Sequence, residues 1–438
     1  MTNTSLPVHD TEKASRIAPW VLLFLVVVIV FGGALRFVNL GKKYFWMDEA
    51  HTTLTVTGNS RRDIDLEALY SNPWTPQDIL AEYQTVRTDR SIFDVVQNLG
   101  AQAPLNPPLY FVLTRIWVQV AGQSPATYRA LSAFFSLLII PAVYLFTRTL
   151  GWSKIAAIIA TALVAVSPFQ IEFAQEARVY SVSMLLMTLA SATLLLALHT
   201  NKRWQWLLYT ILMILGFYTN SFNIWLQISH GIYVLLIYGL QTRSPFIKLS
   251  NQVRWFILTN VIIILAYLPW ILKILSTNDT SSWLLGRIGL SELLKTWVIN
   301  FGKPLVDLFL LPGIMVLAIV LPILLLVLYS MIYMIRHASR RSSLFVMLLI
   351  LVNFVILAAI DIVIGAIFST PSRYISLTLL AMLQPVAYLL ASKISANDPR
   401  IRQAWTVVMV AVIGLSLLSS TLMVMSPVVR GKANDEDF

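Results

Sequence analysis

Eleven stretches in which nearly every position is apolar recur along the chain, at 19–38, 127–149, 154–170, 178–198, 204–219, 221–241, 254–274, 307–335, 344–368, 373–392 and 402–425. Each is close to the ~20 residues that carry a helix across a ~30 Å hydrocarbon layer, and none alternates apolar and polar positions as a barrel strand does. The pattern therefore predicts an all-α polytopic membrane protein of about eleven crossings, one integral domain over 1–438. Two polar breaks are long, 39–126 and 275–306. The first has helix signals of its own. Thr75-Pro76-Gln77-Asp78 combines an N-cap, a proline at the first helical position and an acid at the third, and Ser91-Ile92-Phe93-Asp94 resembles a capping box. Ile92, Val95, Val96 and Leu99 then recur at helical spacing, a stripe suited to the membrane surface. The run 107–122 carries Arg115 and is short for a crossing, so it is read as a half-immersed helix on the same side. The loop 39–126 is thus expected to be structured by interfacial helices, and 426–438 to be a mobile tail.

Composition agrees with this reading: 57% of residues are hydrophobic and 12% charged, with mean hydropathy +0.73. The net charge of +11 changes the picture only through its distribution. With the N-terminus inside, the inner segments hold Lys13, Arg16, Arg148, Lys154, Lys202, Arg203, Arg243, Lys248, Arg254, Arg336, Arg340, Arg341, Lys393, Arg400 and Arg402, which is 15 of 32 basic residues. The acids there are Asp10, Glu12 and Asp398, three of 21. That asymmetry is the positive-inside signature, so the basic residues speak for topology and not for nucleic acid. Segment 19–38 lacks a small-residue cleavage pattern and reads as a retained anchor. With no Cys, disulfides, thiolate metal sites and cysteine nucleophiles are excluded.

In this topology the chemistry-bearing residues collect on the outer face. Asp48 and Glu49 follow the first crossing, in KYFWMDEAH. Glu172, Glu176 and Arg178 lie in the turn FQIEFAQEARVYS, Tyr218 and Asn220 in a third turn, and Arg373 and Tyr374 in a fourth. A carboxylate can take a proton from an attacking hydroxyl, and an arginine can hold a departing phosphate through charge-assisted bonds. Asp48 suits the first role and Arg178 and Arg373 the second. Plainer readings stand beside these. Adjacent acids often form a solvated face, Glu172 and Glu176 are spaced to pair with basic neighbours, and arginines at helix ends snorkel. Asp361 lies inside an apolar run, where a charge is costly, and suits either a functional or a paired packing role. The five dispersed His give no metal-binding spacing. No Gly-rich phosphate loop is present, so a nucleotide site has no support.

The segments RFVNLGKKYFWMDEA (36–50), NPPLYFVLTRIW (106–117), RALSAFFSLLIIPAVYLFTRTLG (129–151), SPFQIEFAQEARVYSVSMLLMTLAS (167–191) and RYISLTLL (373–380), in this order, resemble glycosyltransferases of the family 39 type. That family lies within the GT-C superfamily, which includes protein O-mannosyltransferases and lipid A aminoarabinose transferases. The resemblance implies a GT-C bundle in the plasma (inner) membrane. It implies an inverting transfer of a sugar from a polyprenyl-phosphate donor to a glycan, lipid or protein acceptor on the extracytoplasmic side. It matches Asp48 and Glu49 to the catalytic acidic pair, with the Asp as base, Arg178 and Glu176 to the turn beside it, and Arg373 to a late arginine near the donor phosphate. Glu172, Tyr218, Asn220 and Tyr374 are then substrate-binding candidates. Asn106 departs from the His or Lys that many relatives have before Pro-Pro, so no role is carried over to it. The family uses no nucleotide cofactor; a divalent ion varies among relatives and is not implied here. Two other classes stay open. A lipid or oligosaccharide transporter would line a path through the midplane with polar groups or broken helices, and a non-catalytic membrane subunit would tolerate loss of Asp48.

Overall fold

The computed structural model describes residues 17–59, 74–86, 89–239, 250–276, 286, 288–308 and 313–427. Lys13, Arg16, Arg243, Lys248 and the tail beyond Pro427 lie outside the described residues. All regular structure among those described is helical. After α1 (Pro19–Leu35), the long polar break holds α2 (Met47–Val56), α3 (Pro76–Tyr83), α4 (Ile92–Gln102) and α5 (Leu109–Ala121). Then come α6 (Pro125–Thr149), α7 (Lys154–Val166), α8 (Pro168–Ala174), α9 (Tyr180–Thr200), α10 (Arg203–Thr219) and α11 (Asn223–Val234), the last continued by a π turn, Leu235–Gly239. The second half has α12 (Asn251–Leu275), α13 (Leu290–Gly302), α14 (Gly313–His337), α15 (Arg340–Ile364), α16 (Ser376–Ala381), α17 (Leu383–Ile394) and α18 (Pro399–Met425).

Each of the eleven apolar runs coincides with one of these helices or with a broken pair. Seven spans among the described residues are long and apolar enough to cross a membrane: α6, α9, α12, α14, α15, α16 with α17, and α18. An eighth is counted if α7 and α8, which meet at 55°, are one span. The runs holding α1, α10 and α11 give shorter helices, so length alone does not carry the count to eleven.

Two helices form the centre. α9 is buried on nearly every side, between α6 and α10. α7 is buried from Ala156 to Val166 save Ile158 and packs against α1, α6 and α17. Its alanines 156, 157, 160, 162 and 165 let backbones come close, the usual route to helix association in lipid. At Gly32 of α1 the approach is so tight that a Cβ would sit 2.4 Å from the Ala165 carbonyl oxygen. Arg36, at the end of α1 and with no exposed surface, turns this contact into a cap. It donates to the carbonyls of Gly32 (2.6 Å), Ala165 (2.7 Å) and Val164 (3.1 Å) and to Ser136 Oγ (2.9 Å). The last turn of α7 has orphan carbonyls because Ser167-Pro168 starts a new helix. A guanidinium there satisfies them and complements the negative end of the helix dipole.

One end of the bundle gathers the basic turns. Trp152 Nε1 donates to Ser342 Oγ at 3.2 Å, Trp152 packs on Tyr388, and Lys393 lies over Tyr333 and Trp405. The opposite end gathers the first long loop and the end of α18, since Tyr44 N donates to the Pro427 carbonyl at 3.2 Å. In that loop the capping box of α4 forms, and Thr75 and Asp78 cap α3. The α4 stripe corrects the expectation of a membrane-facing surface: Val95 and Leu99 are buried, and α4 packs against α2, α5 and α12. The large apolar residues of α4 that are exposed are Ile92 and Phe93. At 13 residues, α5 spans only ~20 Å.

Candidate active site

α2 opens after Trp46 in extended conformation, which puts Asp48 and Glu49 in the first turn, where carboxylates suit the positive helix end. Successive helical residues are rotated by ~100°, so the two acids face different ways. Glu49 turns into the protein and is 1% exposed. Arg129 of α6 grips it with two parallel bonds, Nε to Oε1 at 2.7 Å and Nη2 to Oε2 at 2.6 Å. The same guanidinium donates to the carbonyls of Leu40, Lys43 and Tyr44, fixing the chain that leads into α2. Glu49 Oε1 also accepts from Ala177 N at 2.8 Å, which docks the turn after α8 beside α2. Both oxygens of Glu49 are thus taken by the protein.

Asp48 faces a pair of arginines. Its Oδ2 accepts from Arg373 Nη1 at 3.1 Å and lies 3.9 Å from Arg178 Nε. The side chains are 18% (Asp48), 20% (Arg373) and 11% (Arg178) exposed, so the cluster reaches solvent without being immersed in it. Arg178 also donates to the Asp48 carbonyl and to Thr52 Oγ1, each at 3.3 Å. Arg373 lies over the rings of Tyr374 (5.3 Å) and Trp46 (5.8 Å), and Tyr374 stacks on Phe222 at 4.5 Å. In both guanidiniums burial pulls the pKa down, but the facing Tyr180 and Asp48 more than reverse this and hold it above the usual arginine value. Both stay cationic. Arg178 and Arg373 both face Asp48, and the charge of Glu176 also acts on Arg373; the two fixed guanidiniums are donors suited to an anion.

Of the other residues singled out in the sequence, Glu176 is buried and its charge acts on Arg373. Glu172 lies in a separate group, with Lys303 Nζ 3.9 Å from its Oε2 and 4.0 Å from Asp307 Oδ2. Tyr218 donates to the Ala266 carbonyl, and Asn220 Oδ1 accepts from Phe222 N two residues on. The structure therefore brings Asp48, Arg178, Arg373 and Tyr374 together, while Tyr218 bonds to α12 and Asn220 bonds within the turn between α10 and α11. Arg129, Thr52 and Lys303 were not singled out by the sequence; the one signal for Arg129 is a charge at the head of an apolar run. Among the described residues no three His, Cys, Asp or Glu side chains converge as metal ligands.

With this geometry in hand, solved structures define the class of fold. The oligosaccharyltransferase of Archaeoglobus fulgidus matches over 92% of this chain and 56% of its own, at 14% identity and a TM-score of 0.55. The same enzyme, AglB, in complex with an inhibitory peptide and a dolichol-phosphate, matches with a TM-score of 0.55 at 13% identity, over 93% of this chain and 56% of its own. ArnT from Cupriavidus metallidurans bound to undecaprenyl phosphate matches over 92% of this chain and 71% of its own, at 15% identity and a TM-score of 0.51. No family model matches the sequence, and no curated protein matches it. The chain has the GT-C fold, shared with these glycosyltransferases, and spans little more than half the length of the archaeal oligosaccharyltransferase.

Proposed function

We propose that the protein is an inverting glycosyltransferase that moves a sugar from a polyprenyl-phosphate donor to a hydroxyl of a glycan, lipid or protein acceptor on the extracytoplasmic side of the plasma membrane. The observation that carries this reading is the Asp48–Arg373–Arg178 cluster, one carboxylate against two arginines at one end of a GT-C bundle. The bound dolichol-phosphate and undecaprenyl phosphate of the neighbours support a phosphate on a long isoprenoid as the anion.

In this mechanism Arg178 and Arg373 hold the donor phosphate and stabilise the charge that grows on it as the sugar leaves. Asp48, released from the arginines by the phosphate, accepts the acceptor's proton as the new glycosidic bond forms. Glu49 and Arg129 position both halves of the site, since one carboxylate joins α2 to the turn that bears Arg178. The test is transfer by the purified protein from polyprenyl-phosphate sugars, beside the lipid-linked sugar pools of cells with and without it. Arg178→Ala and Arg373→Ala are expected to weaken donor use more than acceptor use. Lys at either position is expected to rescue only in part, because it keeps the charge and loses the two-pronged geometry. Unchanged donor kinetics in both Ala variants would end the assignment.

A further inference from the structure

We infer that Asp361 is a positioning residue that acts through Arg373, holding the loop that presents this arginine to the donor phosphate; the inference rests on the donor role proposed above. α15 ends at Ile364, and Gly365 takes the left-handed conformation (φ 75°) that turns the chain back. The returning loop docks on a side chain of the helix it has just left. Asp361 Oδ1 accepts from Phe368 N at 2.6 Å, and Oδ2 accepts from Ser369 N at 2.6 Å and from the Ser369 hydroxyl. That hydroxyl in turn accepts from Trp297 Nε1 of α13 at 2.7 Å, and Asn300 of α13 donates to the Thr370 carbonyl at 2.6 Å. Four residues after Ser369, Arg373 reaches Asp48.

The chemistry of the clamp explains why an acid stands there. Asp361 is 3% exposed, and no cation pairs with it among the described residues. An ionised carboxylate so enclosed is costly unless donors surround it. Here three donors converge and no acceptor does, so both oxygens must accept. Asn would turn an NH₂ group toward a backbone N–H, and Glu would overreach by one methylene. Three bonds to one side chain tie the loop to the end of α15, and the residue that the loop delivers is Arg373. The sequence left Asp361 between a functional and a packing role; the loop it clamps joins the two.

The experiment measures binding of undecaprenyl phosphate to the full-length protein in nanodiscs, for wild type, Asp361→Asn, Arg373→Ala and the double variant. Asp361→Asn is expected to weaken binding about tenfold, the effect of losing roughly one charge-assisted bond. If it acts through Arg373, the double variant binds no more weakly than Arg373→Ala alone. A helix-end residue that only stabilises the fold gives losses that multiply, and that result, or wild-type affinity in folded Asp361→Asn, overturns the inference. Should Asp361→Asn not fold, Trp297→Phe removes a single donor to Ser369 and is expected to weaken binding about two- to threefold in wild type and not at all beside Arg373→Ala. Absence of binding by wild type overturns the donor reading, and this inference with it. Binding by wild type with multiplying losses overturns the clamp alone.

Discussion

Replacing Asp48 by Asn is expected to move donor binding and turnover in opposite directions. In the structure the Asp48 carboxylate occupies the guanidiniums that a donor phosphate needs: Arg373 Nη1 lies at 3.1 Å and Arg178 Nε at 3.9 Å. A phosphate that takes Arg373 must first separate it from Asp48. A hydrogen bond between charged groups contributes about 1.5–3 kcal/mol, and side chains 18–20% exposed sit at the weak end of that range because water screens them. Breaking the contact thus costs the phosphate roughly 1–1.5 kcal/mol, or about five- to tenfold in Kd. Asn keeps the shape and removes the competing charge, so undecaprenyl phosphate is expected to bind about five- to tenfold more tightly. Turnover is expected to fall by ~10²–10⁴, the usual contribution of a general base. It follows that a bound phosphate draws the arginines from Asp48 and frees its oxygen for the acceptor's proton, so donor binding prepares the base. Binding is measured by titration in nanodiscs and turnover by single-turnover transfer on the same preparations. Weaker binding by Asp48→Asn refutes the competition, and near wild-type turnover removes Asp48 as the base.

Glu49→Gln leaves Arg129 buried without its counter-charge and is expected to destabilise the protein by about 3–5 kcal/mol, read as a lower melting temperature in detergent, with loss of activity following the loss of folded protein. Gly32→Ala sets a methyl group 2.4 Å from the Ala165 oxygen and is expected to cost about 1–3 kcal/mol by forcing α1 from α7; an unchanged melt would mean that the two helices part freely. A topology reporter fused after Phe438 is expected to read as extracytoplasmic, and a cytoplasmic reading reverses the sidedness of every site residue.

What the sequence made legible follows from the range of the interactions involved. The helices were legible because each apolar run carries its own signal, and so was the grouping of Asp48, Arg178 and Arg373, because an acid or arginine at the mouth of a span is costly and stands out. The break at Ser167-Pro168 had a local signal too, a Ser N-cap with Pro after it, although the run 154–170 reads as continuous by hydropathy alone. The partner of Glu49 was not legible. Arg129 is 80 residues away, and nothing in either segment encodes the pairing. The turn that Asn220 closes on Phe222 through its Oδ1 had a local signal, since Asn favours such a use where a helix breaks. The α4 stripe had the right period, but a period does not say whether protein or lipid covers the face; packing against α2, α5 and α12 decided that.

The cap that Arg36 places on α7 also bears on the order of biogenesis. Arg36 and Ala165 are 129 residues apart, so at ~5–20 residues per second the first helix leaves the ribosome roughly 6–26 s before the carbonyls it binds. Over that interval its guanidinium has no partner in the third apolar segment, and sinking it into hydrocarbon alone would cost up to ~2.5–3.5 kcal/mol. Of the four acceptors of this guanidinium, Gly32 is made with the first helix, Ser136 follows with the second segment, and Val164 and Ala165 come last. The cap on α7, unlike the first helix itself, is therefore complete only once the third segment has been made.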